Sequence, residues 1–128
     1  MSRRRDGDSG AAVVDFVLVM VLLVPLFLGV LQVALVLHVR NTLASAASEG
    51  ARYGATMGHT AGEGAARTRR QISGAVSGRY ARGVSGGATT IGGAPAVVVR
   101  VHAVVPALGI GGPAVSLDVA GHAVRERP

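Results

Sequence analysis

Catalysis needs nucleophiles, acids, bases or metal ligands in compatible spacing, and this chain offers few of them. Its 128 residues include four histidines, His38, His59, His102 and His122, seven acids and no cysteine. Without cysteine there is no disulfide framework, no thiolate zinc or redox site and no lipid-modified thiol. The histidines lack metal-ligand spacing. The nearest approach to a site is His102 and His122, from two expected strands, sharing a polar face with Asp118, and three convergent ligands need a geometry this pattern does not supply. There is no nucleophile elbow, phosphate-binding loop or HExxH motif, and Gly62–Arg67 misses the last glycine of a dinucleotide fingerprint. We expect no metal, no cofactor and no enzyme activity. The chemistry the spacing does allow is chemistry done to the chain. Cleavage between Gly10 and Ala11 would leave a new amine at Ala11, four residues or about one helical turn before the carboxylate of Asp15. Asp15 could compensate that amine, or pair with the amine of a neighbouring subunit and so fix axial register. The alternative is that Asp15 is simply an acid in a first turn, at the membrane edge, where the helix dipole favours it.

The element that positions this acid follows it directly. Phe16–Leu37 has no charge and a single polar residue, Gln32, over 22 residues. At about 1.5 Å per residue such a helix crosses the ~30 Å hydrocarbon core of a bilayer. It is too long for a signal-peptide apolar region of about 7 to 15 residues, although Arg3–Arg5 and Ala44-Ser45-Ala46 imitate a basic head and a cleavage site. The Arg3-Arg4 pair also hints at twin-arginine export, but the segment after it is more hydrophobic than such signals. A buried helix of a soluble core would need more apolar surface than the rest of the chain offers. We read one transmembrane helix, bent near Pro25. Three arginines precede it, and Arg40 and Arg52 follow.

The glycine-terminated leader, the acid at the fifth following position, Phe16 and the uninterrupted apolar helix resemble a prepilin-type signal, and specifically the TadE-like proteins of the tight-adherence (Flp) pilus system. Gly10–Phe16 is similar to that family's Gly-small-Ala-Ala-Val-Glu-Phe opening, with Asp15 in place of glutamate. Ala46–Arg52 resembles its Ala-Ala-Arg-Glu-Gly-Ala-Arg stretch through Glu49, Gly50, Ala51 and Arg52, with Ser48 replacing an arginine. Gly121–Glu126 looks like the tail of actinobacterial members. The resemblance implies a pilin-like fold and processing by a prepilin peptidase. It also implies work beside a membrane platform protein and other pilins, with the N-terminus cytoplasmic and the C-terminal region outside the cytoplasmic membrane.

Beyond the span the helical pattern continues from His38 to about Met57, with Val39, Leu43, Ala46, Gly50, Tyr53 and Met57 on one face. Ala46, Gly50 and Gly54 form a small-residue row suited to close helix packing, with Ala47, Ala51 and Ala55 beside it. Glu49 and Arg52 are spaced to pair. Gly58–Gly64 breaks the pattern, and Ala65–Arg82 reads as a shorter helix carrying Arg67, Arg69, Arg70, Arg79 and Arg82. All 13 basic residues are arginine, and the formal charge of +6 favours anionic partners. Nucleic acid is not expected, because only Tyr53 and Tyr80 offer stacking platforms outside the span. Gly83–Pro95 reads as a flexible linker. Ala96–Val105 and Ala114–Val124 read as two strands paired antiparallel, joined through Pro106–Pro113, with Asp118 opposite His102 or Arg100. A lone hairpin is marginal in water, so its apolar face should rest on the Val39–Met57 helix or on a neighbour.

The reading is an α+β protein with a long N-terminal transmembrane helix and a small C-terminal antiparallel β-hairpin region. Its segments are a leader (1–10), the helix and its extension (11–57), a basic helix with linker (58–95), and the hairpin with its tail (96–128). By resemblance it is a minor pilin or pseudopilin working by helix–helix assembly, as a homo- or hetero-oligomer, through the segment from Pro25 to Gly54. The alternative is a membrane-anchored module whose arginine patch holds anionic envelope polymer or lipid.

Overall fold

The computed structural model describes residues 2–107 and 114–127. Helix α1 is Ser2–Ala55, 54 residues passing unbroken through Pro25. At about 1.5 Å per residue it is roughly 80 Å long, so it extends at both ends beyond the apolar run. The leader residues from Ser2 to Gly10 continue the same helix.

The chain turns at Gly58 and re-enters a helix, α2, at Ala61–Ala75. This start lies inside the stretch expected to be irregular. It is set by a cap: the Thr60 side chain accepts from the Glu63 backbone N–H at 3.1 Å, the Thr-x-x-Glu arrangement that satisfies an orphan donor of the first turn. The helix also ends earlier than Arg82, and a short 3₁₀ turn, Gly78–Ala81, follows it.

Three strands complete the chain: β1 (Gly83–Ile91), β2 (Ala94–Val105) and β3 (Val115–Val124), antiparallel in the order β1-β2-β3. The hairpin of β2 and β3 forms as its alternation predicts. The expected linker does not: Gly83–Ile91 is an edge strand paired with β2 along its whole length. Gly92 and Gly93 make the turn, both at positive φ (57° and 81°), as a two-residue hairpin turn matched to strand twist requires. The connection expected over Pro106–Pro113 lies, beyond Ala107, outside the described residues.

The sheet rests its apolar face on α1, with α2 covering the adjoining side. Val39, Leu43, Ala46, Ala47 and Ala51 of α1 are fully buried against Ile72 of α2 and Val97, Val99, Val101 and Val105 of β2. Gly121 of β3 lies directly on the Ala47–Ser48 backbone, where any side chain would collide. The face expected on β2 is therefore the core face, and its support is the chain's own helix.

Candidate functional site

Two surfaces are built from residues singled out above: the bare part of α1 and the end of α1 under the head. In the first, Val13, Val14, Phe16 to Leu18, Leu22, Leu26, Phe27 and Val30 are each at least half exposed, on every side of the helix. A helix apolar all round, on which none of the described residues packs over this stretch, needs a nonaqueous surrounding. Gly7–Ala55 contains a stretch long and apolar enough to cross a membrane. Asp15 stands exposed near its start, with Ala11 four residues before it on the same helix face and Gly10 also exposed.

At the other end, the row Ala46–Gly50–Gly54 is closed over by α2. The Thr68 hydroxyl, itself fully buried, lies 3.1 Å from the Ala46 carbonyl and 3.0 Å from that of Gly64 as a donor. A Cβ on Gly50 would overlap the Thr68 hydroxyl and stand 2.7 Å from the Gly64 carbonyl oxygen. The close approach that small residues permit is thus made within the chain. Ala47, Ala51 and Ala55 are buried beside this row.

Glu49 and Arg52 do not pair among the described residues. They line a groove with Tyr53, Thr56, Arg67 and Glu126. Arg67 stacks over the Tyr53 ring at 4.8 Å, and that ring lies 4.2 Å from the ring of His59, which contacts Glu63 at 2.6 Å. The tail ties down the same end: the Glu126 amide donates to the Ala55 carbonyl at 3.0 Å, and Arg125 Nη1 to that of His59 at 3.3 Å. Met57, expected on the buried face, lies past the helix end and is exposed. Tyr53–Glu63 and the tail's clasp went unseen in the sequence, although the Thr60-x-x-Glu63 cap was there to be found.

The arginine patch is partly spent on the fold. Arg69 Nη2 donates to the Val84 carbonyl at 2.7 Å, fastening α2 to β1, while Arg67 is held on Tyr53; Arg70, Arg79 and Arg82 are exposed. On the outer face of the sheet His102 sits opposite Asp118, Nδ1 to Oδ1 2.6 Å, which resolves the expected cross-strand pair in favour of His102. His122 pairs with Val98, apart from it, and among the described residues no three histidine or acid groups gather as a metal site.

A family model described as TadE-like protein matches residues 10–52. Residues 10–52 are thus a TadE-like segment. No curated protein and no solved structure matches the chain. The TadE-like segment begins at Gly10, takes in the bare apolar run of α1 and ends at Arg52 on the groove. It associates the chain with the Tad pilus and, through its apolar helix, with a membrane as a single-pass protein. The family-type motif Glu49–Arg52 divides by role here. Gly50 and Ala51 are buried under α2 and the sheet, whereas Glu49 and Arg52 face the groove.

Proposed function

We propose that this TadE-like protein is a minor pilin or pseudopilin of a Tad (Flp-type) pilus or of the secretion system built on that machine. A prepilin peptidase removes the leader after Gly10. The leader faces the cytoplasm, the head stands outside the membrane, and the bare helix packs against the platform protein and other pilins. What carries this reading is that the family match starts at Gly10 and takes in the whole exposed apolar run of α1 that follows Asp15.

Because α2 occupies Ala46, Gly50 and Gly54, contacts with other subunits fall on the exposed stretch from Ala11 to Leu37, Pro25 included. Asp15 is the one charge in that stretch. Neutralising a neighbour's Ala11 amine removes two charges from lipid at once and sets how far subunits slide past one another.

The test uses the full chain in a host with its own Tad machinery. The Asp15→Ala variant should enter the membrane as the unaltered protein does and fail to co-purify with the pilins, while Asp15→Glu retains co-purification. An Asp15→Ala protein that assembles normally would refute the role of this acid.

A further inference from the structure

The head and the apolar run overlap along α1. At the upper end, the Glu126 amide binds the carbonyl of Ala55, and Gly121 lies on Ala47–Ser48. At the lower end, Gln32 Nε2 donates to the Pro106 carbonyl at 3.2 Å. From Gln32 to Ala55 a helix rises about 35 Å, and the ten residues of β3 alone extend about 33 Å beside it. Val104–Ala107 and Val115 therefore stand at the level of Gln32. The apolar run goes on to Leu37, five residues or about 7.5 Å further. Leu35 and Val36 pack on the head's core. Across the helix, Val33 and Leu37 remain 59% and 53% exposed, and Val104 on the outer face of the sheet is 47% exposed.

Two placements of the membrane follow. If the head stands clear of it, the hydrocarbon begins at Gln32, and a core of about 30 Å reaches back some 20 residues to about Ala12. That draws Asp15 roughly 4.5 Å into the apolar layer, where a carboxylate is costly. If the layer instead spans Phe16–Leu37, about 33 Å, Asp15 stays at the edge, and the lower end of the sheet is immersed by about 7 Å. That depth is the ~5–10 Å at which interfacial elements sit. The end of the head suits it. Pro106 has no backbone N–H to leave unpaired, and its carbonyl already accepts from Gln32, the run's single polar side chain.

We propose that the lower end of the head, Val104–Ala107 with Val115, is seated in the interfacial layer of the bilayer that α1 crosses, with lipid as its partner. This rests on α1 being a membrane span and not on the pilus role. The seat fixes the height and tilt of the head, which a single helix alone does not.

The chain has no cysteine, so single nitroxide labels can be placed in the full-length protein as Val104→Cys, Ala107→Cys, Thr89→Cys and Leu22→Cys. The protein is reconstituted in phosphatidylethanolamine/phosphatidylglycerol vesicles, and the accessibility of each label to oxygen and to a water-soluble nickel chelate is compared. The expected result is a several-fold higher oxygen-to-nickel ratio at 104 and 107 than at 89, with Leu22 highest. Labels at 104 and 107 as aqueous as that at 89, beside a deep Leu22, would overturn the seat and leave the span intact. Labels at 104 and 107 shielded from both reagents, with spin–spin coupling that grows with protein density, would overturn it in favour of a second copy. An aqueous Leu22 would overturn the span and the seat together.

Discussion

Asp15 and Asp118 are both exposed acids, and they differ in what surrounds them. Asp118 has His102 at 2.6 Å, but the two side chains are 77% and 58% exposed, so water and salt screen the pair. Asp118→Ala should change thermal stability by less than about 1 kcal/mol in a melting experiment on the detergent-solubilised protein; a larger loss would show that the outer face of the sheet is covered by something. Among the described residues Asp15 has no such partner, and it adjoins the exposed apolar run, so its removal is expected to show in assembly, not in folding. The Asp118 contact could be read from the sequence because strand register follows from alternation, leaving only Arg100 as a competitor. Glu49 and Arg52 misled for the opposite reason. Spacing along one helix made them partners, but Arg67 from α2 and Glu126 from the tail share their groove, and neither residue's place is visible from α1 alone.

At the scale of elements, the crossing of α1 and α2 depends on bare backbone. A methyl group at Gly50 meets Thr68 and the Gly64 carbonyl, so Gly50→Ala should destabilise the head despite alanine's better helix propensity. Overpacking of this kind costs about 1–3 kcal/mol, against a propensity gain of about 1 kcal/mol. A denaturant titration should show a net loss, and a gain would mean α2 packs less closely than described. Conversely, Gly7 and Gly10 have open space around them, and each weakens its helix by about 1 kcal/mol relative to alanine. Under the proposed processing, these two glycines ease unwinding of this end of α1 for cleavage after Gly10. Gly7→Ala is expected to slow leader removal in a pulse-chase comparison without preventing it. The small-residue row itself was legible in the sequence, but its occupant was not. A row of glycine and alanine says only that some backbone comes close, and the chain's own α2 is the nearest one. β1 was hidden by composition. Three of its nine residues are glycine and Val84 is its one buried side chain, so no apolar alternation marks it. The Gly92-Gly93 turn, lying between two β-branched stretches, was the signal to follow.

For the whole molecule, the sequence showed the division into an apolar rod and a small α+β head because the two parts have opposite requirements. The rod is apolar on all sides and the head has one apolar face per strand. What could not be read was how far down the rod the head reaches, since that depends on contacts between residues far apart in the chain, such as Gln32 with Pro106, 74 positions away. Their overlap brings the lower end of the head alongside the apolar run of α1. The central claim is that the TadE-like segment begins at a processing junction and works as a pilin helix. It is tested most directly by the N-terminus and intact mass of the protein recovered from the membrane fraction of a host with its own Tad machinery. The account predicts a chain starting at Ala11, and retention of the leader when Gly10 is replaced by a bulky residue. A membrane-bound chain keeping its leader in the unaltered protein, or a soluble product beginning after Ala46, would contradict it.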